Sequence, residues 1–201
     1  MKNTLLVLFL LLTTPLAAEK KVLAFAGSTG SESYNKKLVT LAAKTATKMG
    51  ATVTVIDLKD YPIPLYDADL EKNQGMPENV KRLRKLMITN DAVIIASPEY
   101  NASVTAVLKN ALDWASRSED AKYSPEAFVG KKFAIMSASP GRTGGAKGLI
   151  HLRTIIEAVG GAVVKQQVSI ADAANAFDDK GDLKDELSKE ELQLEIRDLL
   201  R

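Results

Sequence analysis

The chain has 201 residues, of which 46% are hydrophobic and 26% charged, with a formal net charge of +2. That is globular composition, enough for one well-filled core and short of two, and mixed signs without a basic, aromatic-studded patch argue against a nucleic-acid partner. Zero cysteines exclude disulfides, thiolate metal sites and a lipid-bearing cysteine, and a single histidine, His151, speaks against a histidine metal centre or a serine–histidine hydrolase.

Residues 1–18, MKNTLLVLFLLLTTPLAA, carry a lysine, a leucine-rich run from Leu5 to Leu12, then Pro15 and small residues. This is the layout of a secretory signal peptide cleaved after Ala18, and its apolar centre is short of the ~20 residues a bilayer span needs. It predicts an exported, periplasmic protein with one mature domain over 19–201 and no membrane span after cleavage; a cytoplasmic protein is the alternative.

KKVLAFAG (20–27) is an apolar run between lysines and a glycine, the pattern of a strand buried on both faces. A helix follows with Leu38, Leu41, Ala42 and Thr45 on one side and Gly50 as its stop, then a second strand, ATVTVIDL (51–58). The proline-bearing stretch from Lys59 to Met76 reads as a long loop. Pro77 opens a helix with Val80, Leu83, Leu86 and Met87 inward. DAVIIAS (91–97) is the third strand, and SVTAVLKNALDWASRS the third helix, with Val104, Val107, Leu108, Ala111 and Leu112 inward. KKFAIMSAS (131–139) and AVVKQQVSI (162–170) are strands four and five, separated by the helix AKGLIHLRTIIEAVGG. In that helix His151 reads as a half-exposed residue. After the turn-rich ADAANAFDDKGDL, an amphipathic helix closes the chain, its acids early and its arginine late to suit the helix dipole. Five strands alternating with helices predict an α/β, three-layer sandwich around a parallel sheet, and the count fits the flavodoxin-like order 2-1-3-4-5.

In such sheets ligands bind beyond the carboxyl ends of the strands. The first exit, GSTGSESYNKKL (27–38), offers glycines, hydroxyls and a helix amino terminus, which together suit a phosphate, although it is neither a Walker loop nor a dinucleotide fingerprint. Ser28, Ser33 and Asn35 are its candidate donors, with Tyr34 beside them; alternatively Ser33 merely caps the helix. The second exit, Ser97-Pro98-Glu99-Tyr100-Asn101, and the third, SASPGRTGGAK (137–147), each pin a loop with proline, and Gly141, Gly144 and Gly145 leave room for close approach. Three such exits suit a flat, phosphorylated cofactor.

The stretches GSxxxxSxN from Gly27, PEYN from Pro98, LKNALDWASR from Leu108, SASPGRTGG from Ser137 and the tail FDDKGDL resemble the NADPH-dependent FMN reductase family, over nearly the whole mature chain. The resemblance implies bound FMN, with NAD(P)H as co-substrate and a quinone or similar small molecule as acceptor. It implies that Ser28, Ser33 and Asn35 hold the phosphate, that Pro98, Glu99, Tyr100 and Asn101 lie along the isoalloxazine, and that Ser139, Pro140, Gly141 and Gly144 close the far side. No catalytic side chain is then required, because the cofactor carries the chemistry; Glu99 reads better as an ion-pair or subunit contact than as a general acid. The resemblance also implies a homodimer or homotetramer, with Trp114 as an interface anchor. Two departures stand out. Gly30 occupies a position where relatives often carry arginine, so Lys36 or Lys37 is left to supply the charge, and Thr105-Ala106 replaces a Pro-Gly pair. A flavodoxin-like electron carrier and an FMN-free binding module remain as rivals.

Overall fold

The computed structural model describes residues 19–201, so the expected signal peptide at 1–18 lies outside the described residues. Five parallel pairings build one sheet in the order β2-β1-β3-β4-β5, with a sixth strand also on β4. Its strands are β1 (Lys21–Ala26), β2 (Thr52–Asp57), β3 (Ala92–Ala96), β4 (Lys132–Ala138), β5 (Ala162–Val163) and β6 (Val168–Ile170). The register runs Phe25 against Ile56 and Ile95, and Ile95 against Ile135.

The inner strands are buried on both faces, and their alanines gather on one of them, with Val22, Ile94 and Met136 between. Ala24, Ala26, Ala92, Ala96, Ala134 and Ala138 meet α1 (Tyr34–Lys48) and α7 (Glu186–Leu200). Leu23, Phe25, Val93, Ile95, Phe133 and Ile135 point the other way, towards α3 (Glu78–Thr89), α4 (Ala106–Ala115) and α5 (Ala146–Ala158). Alternation along each strand makes this division possible, and it yields the three layers expected. On this face α1 buries Leu38, Val39, Ala42, Ala43 and Ala46, so its buried stripe leaves out the expected Leu41 and Thr45. Strand β2 closes one edge, so Val55 remains half exposed.

Three expectations are corrected. The stretch from Lys59 to Met76 holds a helix, α2 (Ala68–Gln74), capped by Asp67, whose Oδ1 accepts from Asp69 N at 2.7 Å, and ended by Gly75 at φ 75. Pro77 caps α3 from outside it instead of occupying its first turn. The single strand expected over 162–170 is broken at residues 164–167, and β5 and β6 pair with opposite ends of β4. Side chains satisfy the break. Arg153 donates to Val163 O at 3.3 Å and Val164 O at 2.7 Å, and Glu195 Oε2 accepts from Val168 N at 3.1 Å. A short α6 (Ala173–Ala176) follows β6. Among the described residues no helix is long and apolar enough to cross a membrane.

Candidate functional site

The exits of β1, β3 and β4 converge on a pocket of about 440 Å³, walled by Ser28 to Asn35, Pro98 to Tyr100 and Ala138 to Pro140, save Thr29. At the first exit Gly27 N donates to Ala96 O at 2.8 Å, and a Cβ on Gly27 would stand 2.9 Å from Leu108 Cδ2, so glycine lets α4 close on the strand end. Thr105 locks that approach: its hydroxyl donates to Gly27 O at 2.6 Å and accepts from Leu108 N at 3.2 Å. The residue that departs from the family pair therefore ties α4 to the end of β1.

Past Gly27 the loop leaves donors unspent. Ser33 precedes α1 in extended backbone and makes no side-chain cap bond, so capping is not what its hydroxyl does. Its carbonyl accepts from Lys36 N and Lys37 N, while among the described residues the N–H groups of Tyr34 and Asn35 have no backbone partner. Orphan N–H groups at the positive end of a helix dipole favour an anion. Ser28 Oγ already accepts from Gly30 N at 3.3 Å. Asn35 is largely spent on structure: its amide donates to Ala138 O at 2.8 Å and accepts from Ala138 N at 2.9 Å, leaving one N–H for any ligand. That pair stitches α1 to the end of β4.

Neither lysine stands in for the missing arginine. Lys36 is paired with Asp57 at 2.6 Å across the end of β2. Burial pushes the Asp57 carboxyl up, but the Lys36 ammonium and the Lys59 N–H outweigh it and hold it below the ordinary range. Lys37 lies with its ammonium 5.7 Å from the centre of the Tyr34 ring. Gly30 has ordinary backbone and only Ser28 Oγ, at 3.6 Å, near a would-be Cβ, so no steric demand explains the glycine.

At the second exit Pro98 is buried, and Glu99 Oε2 accepts from Gly148 N at 2.9 Å, inside the first turn of α5. Glu99 thus caps a helix instead of forming the ion pair expected. Tyr100 and Ser103 exchange backbone bonds of 2.9 and 3.1 Å around Asn101 and Ala102, both at positive φ. That is a tight primed turn, which suits asparagine. Asn101 is its exposed apex and lies off the pocket wall. His151 Nδ1 sits 3.1 Å from Ser103 Oγ, exposed on α5.

At the third exit Ser139 and Pro140 reach the pocket, whereas Gly141 and Gly144 do not. Gly144, at φ 60, is pressed against the end of β6: a Cβ there would lie 2.7 Å from Ile170 C. Gly145 at φ 90 is similarly held against Ser137 Oγ. These glycines serve close packing of chain on chain. Conversely Ser31, Glu32 and Ala138 line the pocket without being among the candidate residues, and Gly30, marked in the sequence only as a departure, lines it too.

The LKNALDW stretch faces elsewhere. Asn110 accepts from Tyr66 N at 2.8 Å and donates to Pro64 O at 2.9 Å, and Trp114 Nε1 donates to the same carbonyl at 2.9 Å. Trp114 is fully buried, edge-on to Tyr66 at 5.0 Å, so it is a core residue and not a surface anchor. Beneath it Glu71, 3% exposed, takes a bidentate bond from Arg117 and a hydroxyl from Tyr66, and the Arg117 guanidinium holds its carboxyl below the ordinary range.

The sequence profile of the NADPH-dependent FMN reductases matches residues 20–175. The chain belongs to the NADPH-dependent FMN reductase family. Among its relatives, an NAD(P)H-dependent FMN reductase of Pseudomonas aeruginosa is 38% identical over 180 residues, 89% of this chain and 92% of that one. An NADPH:quinone oxidoreductase of Arabidopsis thaliana is 35% identical, covering 86% of each. A flavoenzyme NAD(P)H:(acceptor) oxidoreductase of Paracoccus denitrificans, known by structure, superposes with a TM-score of 0.76 at 30% identity, over 90% of this chain and 95% of that one. The family match ends just before the FDDKGDL tail and includes all three exits.

Proposed function

We propose that the protein is an FMN-dependent NAD(P)H oxidoreductase that passes electrons to a quinone or a similar small acceptor. The observation that carries the reading is the unspent Ser33 hydroxyl beside the orphan Tyr34 and Asn35 N–H groups, in a pocket that Pro98 and Pro140 also wall. A phosphate suits those donors and a ring the proline walls, and about 440 Å³ is within the range of cofactor sites. When bound, FMN supplies the redox chemistry, accepting electrons from a nicotinamide coenzyme and giving them up to the acceptor. The chain's own residues have the simpler tasks. Ser28, Ser33 and the first turn of α1 grip the anion, Asn35 fixes that turn against β4, and Glu99, tied to α5, holds the second wall in place.

Two further readings accompany it. The leader-like 1–18 segment supports export. Exposed Tyr100 and Ile150, 61% and 63% accessible on segments joined by the Ser103–His151 contact, support self-association beside the pocket.

The test is direct. Purified protein should carry flavin absorbance and oxidise NAD(P)H steadily only when a quinone is supplied. Bound flavin without coenzyme oxidation would identify an electron carrier; no flavin after incubation with FMN would leave a binding module.

A further inference from the structure

Thr105, buried just before α4, uses its hydroxyl twice. As the helix cap it accepts from Leu108 N at 3.2 Å, a task that an aspartate would perform as well. Its own proton goes to Gly27 O, at 2.6 Å the shorter of the two bonds. An ionised carboxylate only accepts, so this second bond demands more of the side chain than capping does. The peptide that receives it is held from the other side too. Gly27 N donates to Ala96 O at 2.8 Å, and Leu108 packs against Gly27 where a Cβ would stand.

A peptide unit is planar and trans, so its C=O and N–H point in opposite directions. Fixing Gly27 O on Thr105 therefore fixes the Ser28 N–H on the opposite side. Thr105 and α4 take no part in the pocket wall, whereas Ser28 does. The carbonyl is thus turned to the core and the N–H to the pocket, where among the described residues it has no backbone partner. An anion in this pocket depends on such groups. Among the described residues no lysine or arginine walls it, while two acids, Glu32 and Glu99, do.

We propose that Thr105 is a positioning residue for the cofactor: through Gly27 O it holds the Ser28 N–H towards the anionic end of FMN. The inference rests on the flavin reading above. Glycine's backbone turns easily, so an unanchored Gly27–Ser28 peptide can rotate and present its carbonyl to the pocket instead. A carbonyl there repels an anion that the N–H attracts. The Thr105 proton removes that alternative before any ligand arrives, and a peptide already ordered costs no ordering on binding. A proline at 105 carries no hydroxyl, so this chain's departure from the Pro-Gly pair is what supplies the bond. The same chain has Gly30 in place of a cation, which leaves the grip on the anion to groups of this kind.

The experiment titrates FMN, and riboflavin, which lacks the phosphate, into the flavin-free full chain and follows flavin fluorescence. Three variants are compared with the native protein. Thr105→Val keeps the shape without the hydroxyl. Thr105→Pro suits the φ of −71 and gives up no backbone bond, since among the described residues Thr105 N has no backbone partner. Thr105→Ser keeps both bonds. Losing a charge-assisted N–H bond outright costs about ten- to a hundredfold in affinity, and a freed peptide can still turn back, so FMN affinity should fall about tenfold in the Val and Pro variants. Riboflavin affinity should stay at the native value, and Thr105→Ser should restore FMN. If FMN and riboflavin weaken in step, or neither weakens, Thr105 only caps α4 and the proposal is overturned. In isotope-labelled native protein, inorganic phosphate should also shift the Ser28 amide resonance, and shift it less in Thr105→Val; no shift, or equal shifts, overturns the proposal as well. If the native protein binds neither flavin, the oxidoreductase reading fails, and the phosphate titration still judges Thr105 by itself.

Discussion

The loop from Ser28 to Asn35 and the clamp around Pro64 are both dense in polar groups and both spell out family motifs, but they use those groups differently. In the clamp the polar groups bind one another: the Pro64 carbonyl takes bonds from Asn110 and Trp114, Asn110 takes the Tyr66 N–H, and Glu71 is filled by Arg117 and Tyr66. In the loop, among the described residues, the Ser33 hydroxyl makes no cap bond and two backbone N–H groups have no backbone partner, at residues that line an open pocket. A buried donor without a partner costs on the order of 1–3 kcal/mol, so the closed clamp has to satisfy its own groups, whereas the half-buried loop can leave Ser33 and Tyr34 to water until a ligand replaces it. Motif specificity alone does not separate the two. Satisfaction does.

The sharpest way to break this contrast is to remove the centre of the clamp. Trp114→Ala deletes a fully buried ring, its bond to Pro64 and its contact with Tyr66, and should cost about 3–5 kcal/mol in urea unfolding. The folded fraction should still bind FMN at native stoichiometry, because the ring does not touch the pocket wall. A loss under about 1 kcal/mol together with a change of oligomeric state would return Trp114 to a subunit interface.

Glu195 sharpens the criterion, since it too has an unpartnered atom, Oε1, but no pocket reaches it. An orphan with no access stays an orphan, so the chain answers with a proton: burial raises this carboxyl well above its ordinary value, against the pull of Val168 N–H and Arg153. The folded state then holds a proton that the unfolded state releases above the ordinary carboxylate range. Stability therefore falls as pH rises from that range towards the raised folded-state value, by at most ~1.4 kcal/mol per pH unit. Glu195→Gln should flatten that slope in urea midpoints measured between pH 4 and 8. An unchanged slope would mean that Glu195 is ionised in the fold.

How far the sequence carried these conclusions follows the same physics. Strands buried on both faces wrote themselves as apolar runs, and the alternation of strand and helix implied a parallel sheet, while its order rested on matching the strand count to the flavodoxin-like architecture. The three exits were legible because ligand loops in this architecture follow strands directly. What stayed hidden depends on partners distant in the chain. Helix α2, ADLEKNQ, is short and without apolar spacing, and its Glu71 is buried only because Arg117 meets it. The break between β5 and β6 is made tolerable by Arg153 and Glu195 from two helices. Gly144 looked like room for a cofactor until the end of β6 was placed against it. Lys36 looked free until β2 brought Asp57 alongside.

The smallest expected effect on the fold falls on the residue that matters most to the site. An N-terminal cap serine replaced by alanine ordinarily loses ~0.5–2 kcal/mol, because a side-chain bond to the helix goes with it. Ser33 makes no such bond, so Ser33→Ala should shift the urea stability of the flavin-free protein by less than about 0.5 kcal/mol. FMN binding should suffer instead. A hydroxyl donating to a phosphate is a charge-assisted bond of roughly 1.5–3 kcal/mol, so flavin affinity, followed by fluorescence quenching, should fall by ten- to about a hundredfold, with a smaller thermal upshift at saturating FMN. Asn35 is a poor substitute for this test, since its amide also ties α1 to β4. A flavin-free variant weakened by a full kcal/mol, with flavin affinity intact, would make Ser33 a helix cap after all, and the anion would then have to be held by backbone alone.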